Sequence, residues 1–224
     1  MLSPRSYQSV VSIGSQCLTG VMLQNAGLKL FSGPFDWIFS NMRMVCDCIE
    51  DDFAAFLDPR EHISIPPAER AVPGTQFAHH ALYRARYGLH ALFNHSDPTE
   101  PATYAYLERC VARFRAVLAS DQPQLLLAIS KRSQGGRYAF DRLSKLLDDA
   151  PSVEICAMIV REPGATRQLE PWAENGRHRL FELTVTSPME GIHFADHADN
   201  HYLADLLAQM VRLEPPETFR DPAA

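Results

Sequence analysis

The chain contains 224 residues, of which 46% are hydrophobic and 21% are charged. A folded chain of this length buries about 70% of its extended surface, which supports a hydrophobic core and excludes an intrinsically disordered protein. The chain has 21 basic and 27 acidic residues and a net charge of −6, so it has no generic attraction for nucleic acid or anionic lipid. Its apolar runs fall far short of the roughly 18 residues that a membrane span requires.

Cysteine usage and the N-terminal segment indicate the cellular compartment. The five cysteines are odd in number, are scattered and form no C-x-x-C pair, which argues against a disulfide framework and a structural zinc site. The first residues contain no long apolar run of the kind found in a signal peptide. We therefore expect a cytoplasmic protein with reduced thiols, and neither a metal nor another cofactor.

The first 120 residues predict one strand, three helices and a proline-rich excursion. The first helical pattern stops at Gly27, and Ser40 or Asn41 can cap the second helix. The excursion, at about residues 58–75, contains four prolines and no sustained periodicity. The predicted elements are a buried strand over Val10–Ile13 and helices over Leu18–Ala26, Met44–Phe56 and Tyr104–Leu118.

The second half of the chain alternates between apolar strands and helices. Such alternation predicts a single α/β domain over residues 1–213, with a mostly parallel sheet of about four to six strands between two helical layers. Residues 214–224 form a Pro-rich tail. The predicted strands are Leu125–Ile129, Val153–Val160 and Leu180–Val185, and the predicted helices are Tyr138–Leu147 and Tyr202–Leu213.

The end of the first strand is the leading candidate for a functional site. Ligands of parallel α/β sheets collect at the carboxyl ends of strands, where helix N-termini point partial positive charge outward. Cys17 lies there, so we expect its thiol to have a lowered pKa and to act as a nucleophile. Gly14 permits the sharp turn, while Ser15, Gln16 and the free N–H groups of the helix could hold an oxyanion. The competing interpretation is a packing turn with an inert cysteine.

A nucleophilic cysteine needs a base, and His95 is the leading candidate. It lies in a polar break between two apolar segments, and catalytic groups often lie on loops held by a rigid scaffold. Asn94 or Asp97 could orient the imidazole, although Asp97 could instead start the turn at Pro98. A structural histidine is the alternative to this role.

His193 and His197, beside Asp196, form the alternative choice of base. They precede the last predicted helix and loosely resemble the Asp-x-x-His element of SGNH-type esterases. The spacing of His193, His197 and His201 could also suit a metal site on a helix. We favour no metal there, because Asp199 or the next residue is more typical of a helix N-cap.

Three segments together resemble a bacterial family named for papain-like cysteine peptidases, a domain of otherwise unknown function. The segments are Val11–Cys17, the Pro-Phe-Asp-Trp sequence at residues 34–37, and Phe93–Pro98 with the helix that follows. The resemblance implies that Cys17 is the nucleophile and His95 its base. Asp36 is then a third catalytic member or a structural anchor, and Trp37 lies beside the site. Ser96 departs from the family pattern, which has an acidic residue or histidine directly after the histidine.

The name of this family and the alternation of elements imply different folds. A papain-like enzyme packs its cysteine-bearing helix on an antiparallel, barrel-like sheet, whereas this chain predicts a parallel one. Similar Cys–His chemistry occurs on unrelated folds. We therefore take the fold from the alternation and only the site from the resemblance.

Three functions are compatible with these features. The first is a cysteine hydrolase or acyl transferase acting on a small-molecule, acyl or peptide substrate through Cys17 and His95. The second is an SGNH-like esterase or acyl-modifying enzyme that takes its base from His193 or His197. The third is a non-catalytic α/β binding module in which Cys17 only packs. The oligomeric state is left open.

Overall fold

A five-stranded, mostly parallel sheet forms the centre of the protein. The computed structural model describes residues 4–131 and 136–214. Its strands are β1 (Arg5–Tyr7), β2 (Ser9–Ser12), β3 (His62–Ser64), β4 (Ala78–His80), β5 (Gln124–Lys131), β6 (Val153–Val160), β7 (Gln168–Asn175), β8 (His178–Thr184), β9 (Met189–Glu190), β10 (His193–Phe194) and β11 (Val211–Leu213). Its α-helices are α1 (Leu18–Asn25), α2 (Met42–Glu50), α3 (Ala81–Tyr87), α4 (Pro101–Leu118), α5 (Gly136–Leu146) and α6 (His197–Met210).

The order of strands in the main sheet is β2-β5-β6-β8-β7. The first four strands run parallel, and β7 pairs antiparallel with β8 at the edge. The predicted α/β class and parallel sheet are therefore confirmed. Strand β7 was not predicted: many of its residues are exposed or half-buried, and the register shifts at Pro171, as is typical of edge strands.

Both faces of the sheet are covered, because successive side chains of a strand point to opposite sides. On β5, Leu126 and Ala128 face a core formed with α2, α4 and α5. Leu125, Leu127 and Ile129 face a second core formed with α1 and α6. This arrangement confirms the three-layer architecture.

Several predicted boundaries are corrected. Helix α2 ends at Glu50, because Asp52 and Phe53 take left-handed backbone angles, with φ of 49° and 61°; Phe53 and Phe56 still lie in the core. The last helix starts earlier than predicted and ends at Met210, after which β11 pairs with β1. Residues 215–224 of the predicted tail lie outside the described residues.

The proline-rich excursion has more structure than its composition predicts. Its strand β3 pairs antiparallel with β4, which follows the excursion. Short 3₁₀ turns within the excursion cover Pro59–Glu61 and Pro67–Glu69. The pairing buries His62 and His80, whereas the sequence suggests that His79 and His80 are a half-exposed pair. Across the described residues, no helix is long and apolar enough to cross a bilayer.

Candidate active site

Cys17 is the N-cap residue of α1, and residues 13–16 form the turn that connects it to the carboxyl end of β2. The backbone N–H of Val21 donates to the Cys17 carbonyl oxygen at 2.9 Å and closes the first turn. Only glycine fits at position 14, since a β-carbon there would lie 1.9 Å from Thr19 Oγ1. That hydroxyl accepts from Ile129 N at 3.1 Å and ties α1 to β5. The predicted strand–turn–helix is present.

The segment after Pro-Phe-Asp-Trp holds the other two motif segments together. Ser40 donates from its backbone N–H to Ser15 O at 3.1 Å and from its hydroxyl to Gly14 O. Phe39 N donates to Leu92 O at 2.8 Å. Because one short segment binds both partners, the loop that carries Cys17 lies beside the loop that carries the candidate base.

Asn94 lies between the thiol and the imidazole. Its Nδ2 atom donates to Cys17 Sγ at 3.8 Å and lies 3.1 Å from His95 Nε2. An amide nitrogen only donates, so Nε2 must be unprotonated to accept from it. Among the described residues no hydrogen bond joins Cys17 and His95 directly, but the two distances place Nε2 within about 7 Å of the sulfur. His95 is exposed, while the amide and the thiol are buried.

The thiol does not have the lowered pKa that its place at a helix N-terminus predicts. Only 2% of Cys17 is exposed, and burial raises the pKa of its thiol. The Asn94 amide and the Cys17 backbone N–H lower that pKa, and the negative charge of Asp36 raises it further. In this conformation desolvation therefore affects the pKa of the thiol more than the helix N-terminus does. The expected lowering of that pKa is corrected to a rise.

Alkylation should report this raised pKa. We expect the rate of Cys17 modification by iodoacetamide to rise with pH to a midpoint above the value of about 8.5 for a free thiol. Peptide mapping by mass spectrometry after timed quenching separates Cys17 from the other cysteines. A midpoint below about 8 would contradict the closed environment described above.

Asp36 makes the buried contacts expected of a structural anchor. Its carboxylate forms an ion pair with Lys29 and accepts from Gly33 N at 2.7 Å. Burial raises the pKa of Asp36, and Lys29 opposes that shift. A β-carbon on Gly20 would lie only 3.2 Å from the Asp36 carbonyl oxygen, so α1 packs tightly on this residue. Trp37 lies under the same ammonium group, with Lys29 Nζ 5.3 Å from its ring centroid.

Asp97 is occupied elsewhere and does not orient the imidazole. Its side chain accepts from the Ser64 hydroxyl, and from Thr99 at 3.0 Å (N) and 2.7 Å (Oγ1). These bonds lower its pKa. In the described part of the chain no hydrogen bond joins Asp97 to His95. The carboxylate stabilises the turn before α4 and pins it to β3.

Over the described residues, four of the ten buried polar side-chain atoms without a hydrogen-bond partner lie on Cys17's neighbours. Most buried polar groups in native proteins are hydrogen-bonded, so an exception needs a specific explanation such as a catalytic or binding role. Ser15 and Gln16 flank the cysteine, and Asn94 contacts its sulfur. Their buried atoms without a hydrogen-bond partner are Ser15 Oγ, Gln16 Oε1 and Asn94 Oδ1, together with Asp36 Oδ1 nearby.

The alternative base lies at another part of the sheet edge. Asp196 is the N-cap of α6, where it accepts from Ala198 N at 2.9 Å and pairs with Arg167. His193 and His197 are exposed. They follow β8, which β5 and β6 separate from β2. Over the described ranges, no hydrogen bond joins either histidine or Asp196 to Cys17, and no group of histidine, cysteine and acidic side chains could hold a metal ion.

A comparison with family models matches only the part of the chain that holds the first of the two settings for the site. Residues 8–149 match the family described as "Putative papain-like cysteine peptidase (DUF1796)". The chain belongs to this family. No curated protein and no solved structure matches the chain. The matched range of the papain-like family contains Cys17, Asp36, Asn94 and His95, and it ends before α6 and its histidines.

Sequence reasoning missed some residues that build the site of this papain-like family member. Ser40 was considered only as a helix cap, a role that Asn41 fills by accepting from Met44 N at 2.9 Å. Lys29 was not selected, because a single lysine after a helix is typical of a solvent-exposed side chain. The available signal for a partner such as Lys29 was Asp36, a carboxylate between two aromatic residues. A buried aspartate requires a hydrogen-bond donor or a cation.

Proposed function

We propose that the protein is a cysteine-dependent hydrolase whose nucleophile is Cys17 and whose general base is His95. The observation that supports this most directly is the Asn94 amide, which contacts both the sulfur and the unprotonated imidazole nitrogen. The thiol lies at the start of α1, where unpaired backbone N–H groups face the carboxyl end of the sheet. Membership of a family named for cysteine peptidases favours the same chemistry.

The proposed reaction begins when substrate displaces the Asn94 amide from between the two groups. His95 Nε2 accepts the thiol proton as Cys17 Sγ attacks the acyl carbon, and a carbon–sulfur bond forms. The backbone N–H groups of the first α1 turn and the Gln16 amide donate to the oxyanion. His95 returns the proton to the leaving group as the acyl–oxygen or acyl–nitrogen bond breaks.

The second half of the reaction regenerates the thiol. His95 removes a proton from water, whose oxygen attacks the thioester carbon. The carbon–sulfur bond then breaks, the acid leaves, and the proton passes from the imidazole to Cys17. If an alcohol or amine replaces water, the same steps give an acyl transferase. A substrate-dependent opening accounts for a nucleophile that is sealed and protonated in the free protein.

We propose that the substrate is a small-molecule or peptide acyl donor and that the protein acts in the cytoplasm. The papain-like family name favours a peptide or a related amide. All five cysteines are free and buried, which suits a compartment that keeps thiols reduced.

A second candidate is a binding module in which Cys17 only packs. The specific observations in its favour are the burial of the thiol and its raised pKa. An inert thiol of this kind would neither form a thioester nor respond to the nearby imidazole.

The experiment that separates the two candidates measures hydrolysis of p-nitrophenyl esters and of a fluorogenic peptide mixture by purified variants. Cys17→Ser is expected to abolish turnover, and His95→Gln to lower it by about 10²–10⁴-fold. His197→Gln, at an exposed histidine, and Cys46→Ser, at a buried thiol whose contact with the Ala139 carbonyl oxygen a hydroxyl can keep, are matched controls that should retain wild-type rates. Turnover that is equal in wild type and Cys17→Ser would exclude the hydrolase. Electrospray mass spectrometry of quenched samples should detect the acyl adduct on Cys17.

A further inference from the structure

A small apolar cleft lies beside the segments that carry Asp36, Asn94 and His95. We call it the Trp37 cleft and define it by its walls on three segments: Trp37, Ile38, Phe93, Pro98, Thr103 and Leu107. Its volume is about 40 Å³. No charged side chain lines it, and its polar groups are hydroxyls, such as that of Ser96, with the Cys110 thiol.

The walls of the cleft are next to the proposed reacting groups along the chain. Trp37 follows Asp36, Phe93 precedes Asn94, and Ser96 follows His95 along the chain. The Phe39–Leu92 hydrogen bond holds two of these segments side by side. Asn94, which directly follows the wall residue Phe93, places its side-chain amide 3.8 Å from the Cys17 sulfur. A group covalently bound to the sulfur could therefore extend into the cleft.

The size of the cleft limits what it can hold. One water molecule needs about 10–15 Å³ of such volume, so 40 Å³ accommodates about three to four atoms of that size. A short aliphatic chain fits this space, whereas a peptide backbone or a long fatty chain does not. The absence of charged groups from the wall disfavours an ionic substituent, whose desolvation nothing would offset.

We propose that the Trp37 cleft binds the acyl part of the substrate and selects an uncharged apolar acyl group of about four carbon atoms. This inference rests on the proposed function, since it places the acyl carbon on Cys17. Trp37 and Phe93 contact the aliphatic chain, and Thr103 and Leu107 on α4 close the far side.

The chain-length dependence of hydrolysis tests the proposal. Burial of each added methylene is worth about a fourfold gain in kcat/KM, so the butyryl p-nitrophenyl ester should exceed the acetyl ester about fifteenfold. The octanoyl ester should fall well below the butyryl ester, because its chain exceeds the cleft. Equal kcat/KM across the three esters would overturn the inference.

Variants at the mouth of the cleft provide a matched test. Thr103 is half-buried on α4, so its replacement should leave the fold intact. Thr103→Leu should narrow the space and lower kcat/KM for the butyryl ester at least tenfold while sparing the acetyl ester, and Thr103→Ala should move the optimum to a longer chain. Ala102→Leu, at an exposed neighbour outside the cleft, should change neither. An unchanged chain-length profile in both Thr103 variants would contradict the proposal.

A binding measurement separates failure of this inference from failure of the proposed function. The chain has two tryptophans, so Trp172→Phe leaves Trp37 as the only tryptophan, which can be excited at wavelengths that tyrosine does not absorb. In this background with Cys17→Ser, butyramide should change the Trp37 fluorescence saturably, whereas octanamide should not, and Thr103→Leu should abolish the change. Binding without Cys17-dependent turnover would support the cleft and exclude the hydrolase. Turnover without binding or chain-length selectivity would support the hydrolase and exclude the cleft.

Discussion

Replacing Asp36 with asparagine is expected to lower the free energy of unfolding by about 3–5 kcal/mol. Only 1% of the Asp36 side chain and 11% of the Lys29 side chain are exposed. The asparagine amide can still accept from Gly33 N, but it leaves the Lys29 ammonium buried without a counter-charge. Removing one partner of a buried ion pair is far more destabilising than removing the pair.

A second expected result of Asp36→Asn concerns the thiol. The Asp36 charge raises the pKa of Cys17, so its removal should move the midpoint of iodoacetamide alkylation to lower pH. The folded variant must be used, below its unfolding transition. This shift distinguishes an electrostatic connection to the candidate active site from a purely structural role, which would change stability alone.

Two controls test this account by urea unfolding. Adding Lys29→Met to Asp36→Asn removes both charges and should recover most of the lost stability. Asp52→Asn breaks an exposed ion pair with Arg115, whose side chains are 76% and 43% exposed, and should cost at most about 1 kcal/mol. If Asp36→Asn costs no more than Asp52→Asn, the buried pair is not the anchor described here.

The layout of the sheet was predictable because it depends on local patterns. The apolar run over residues 155–160 of β6 is fully buried, as a parallel strand covered on both faces requires. Strand β7 could not be found in this way, since its half-exposed residues carry no such pattern. Its place is decided by pairing with β8, a tertiary contact.

The sequence was sufficient to predict where the candidate site lies in the fold, but not which residues surround the thiol. Gly14 and the helical pattern after it were sufficient to place Cys17 at the start of α1. The burial of its sulfur depends on Asn94, 77 positions along the chain, and on the loop bound by Ser40. The sequence left Asp97 either to orient His95 or to start the turn at Pro98, and its oxygens accept from Ser64 and Thr99. Local sequence reports backbone turns and says little about long-range hydrogen bonds.

Two of the buried histidines, His80 and His178, should make the fold sensitive to mild acid. His80 and His178 are 0% and 2% exposed, and burial lowers the pKa of each to about 4. Both are held as neutral rings, because Nδ1 of each accepts a backbone N–H: from Tyr83 at 3.5 Å for His80, and from Ile155 at 3.1 Å for His178. A proton on Nδ1 would break that hydrogen bond in addition to placing a charge in the core.

The sign of the pH dependence follows from these pKa values. The unfolded chain takes up protons on these rings near pH 6.5, while the folded chain resists until about pH 4. Stability should therefore fall as the pH is lowered from 6.5 to 4, by about 3 kcal/mol for each ring. Carboxylates with lowered pKa values, such as Asp97, contribute their own loss mainly below that window, so the two effects can be separated.

Urea unfolding at pH 7.0, 5.5 and 4.5 measures this loss. His80→Gln keeps a donor for the Ala55 carbonyl, which His80 Nε2 contacts at 3.1 Å, but it loses the ring stacked with Phe56. It should be less stable at pH 7.0 and should also lose less stability between pH 7.0 and 4.5 than the wild type. His197→Gln, at an exposed helix position, should retain the wild-type slope. If His80→Gln loses as much stability between pH 7.0 and 4.5 as the wild type, burial does not hinder protonation of His80. The explanation that the fold requires a neutral His80 ring would then be wrong.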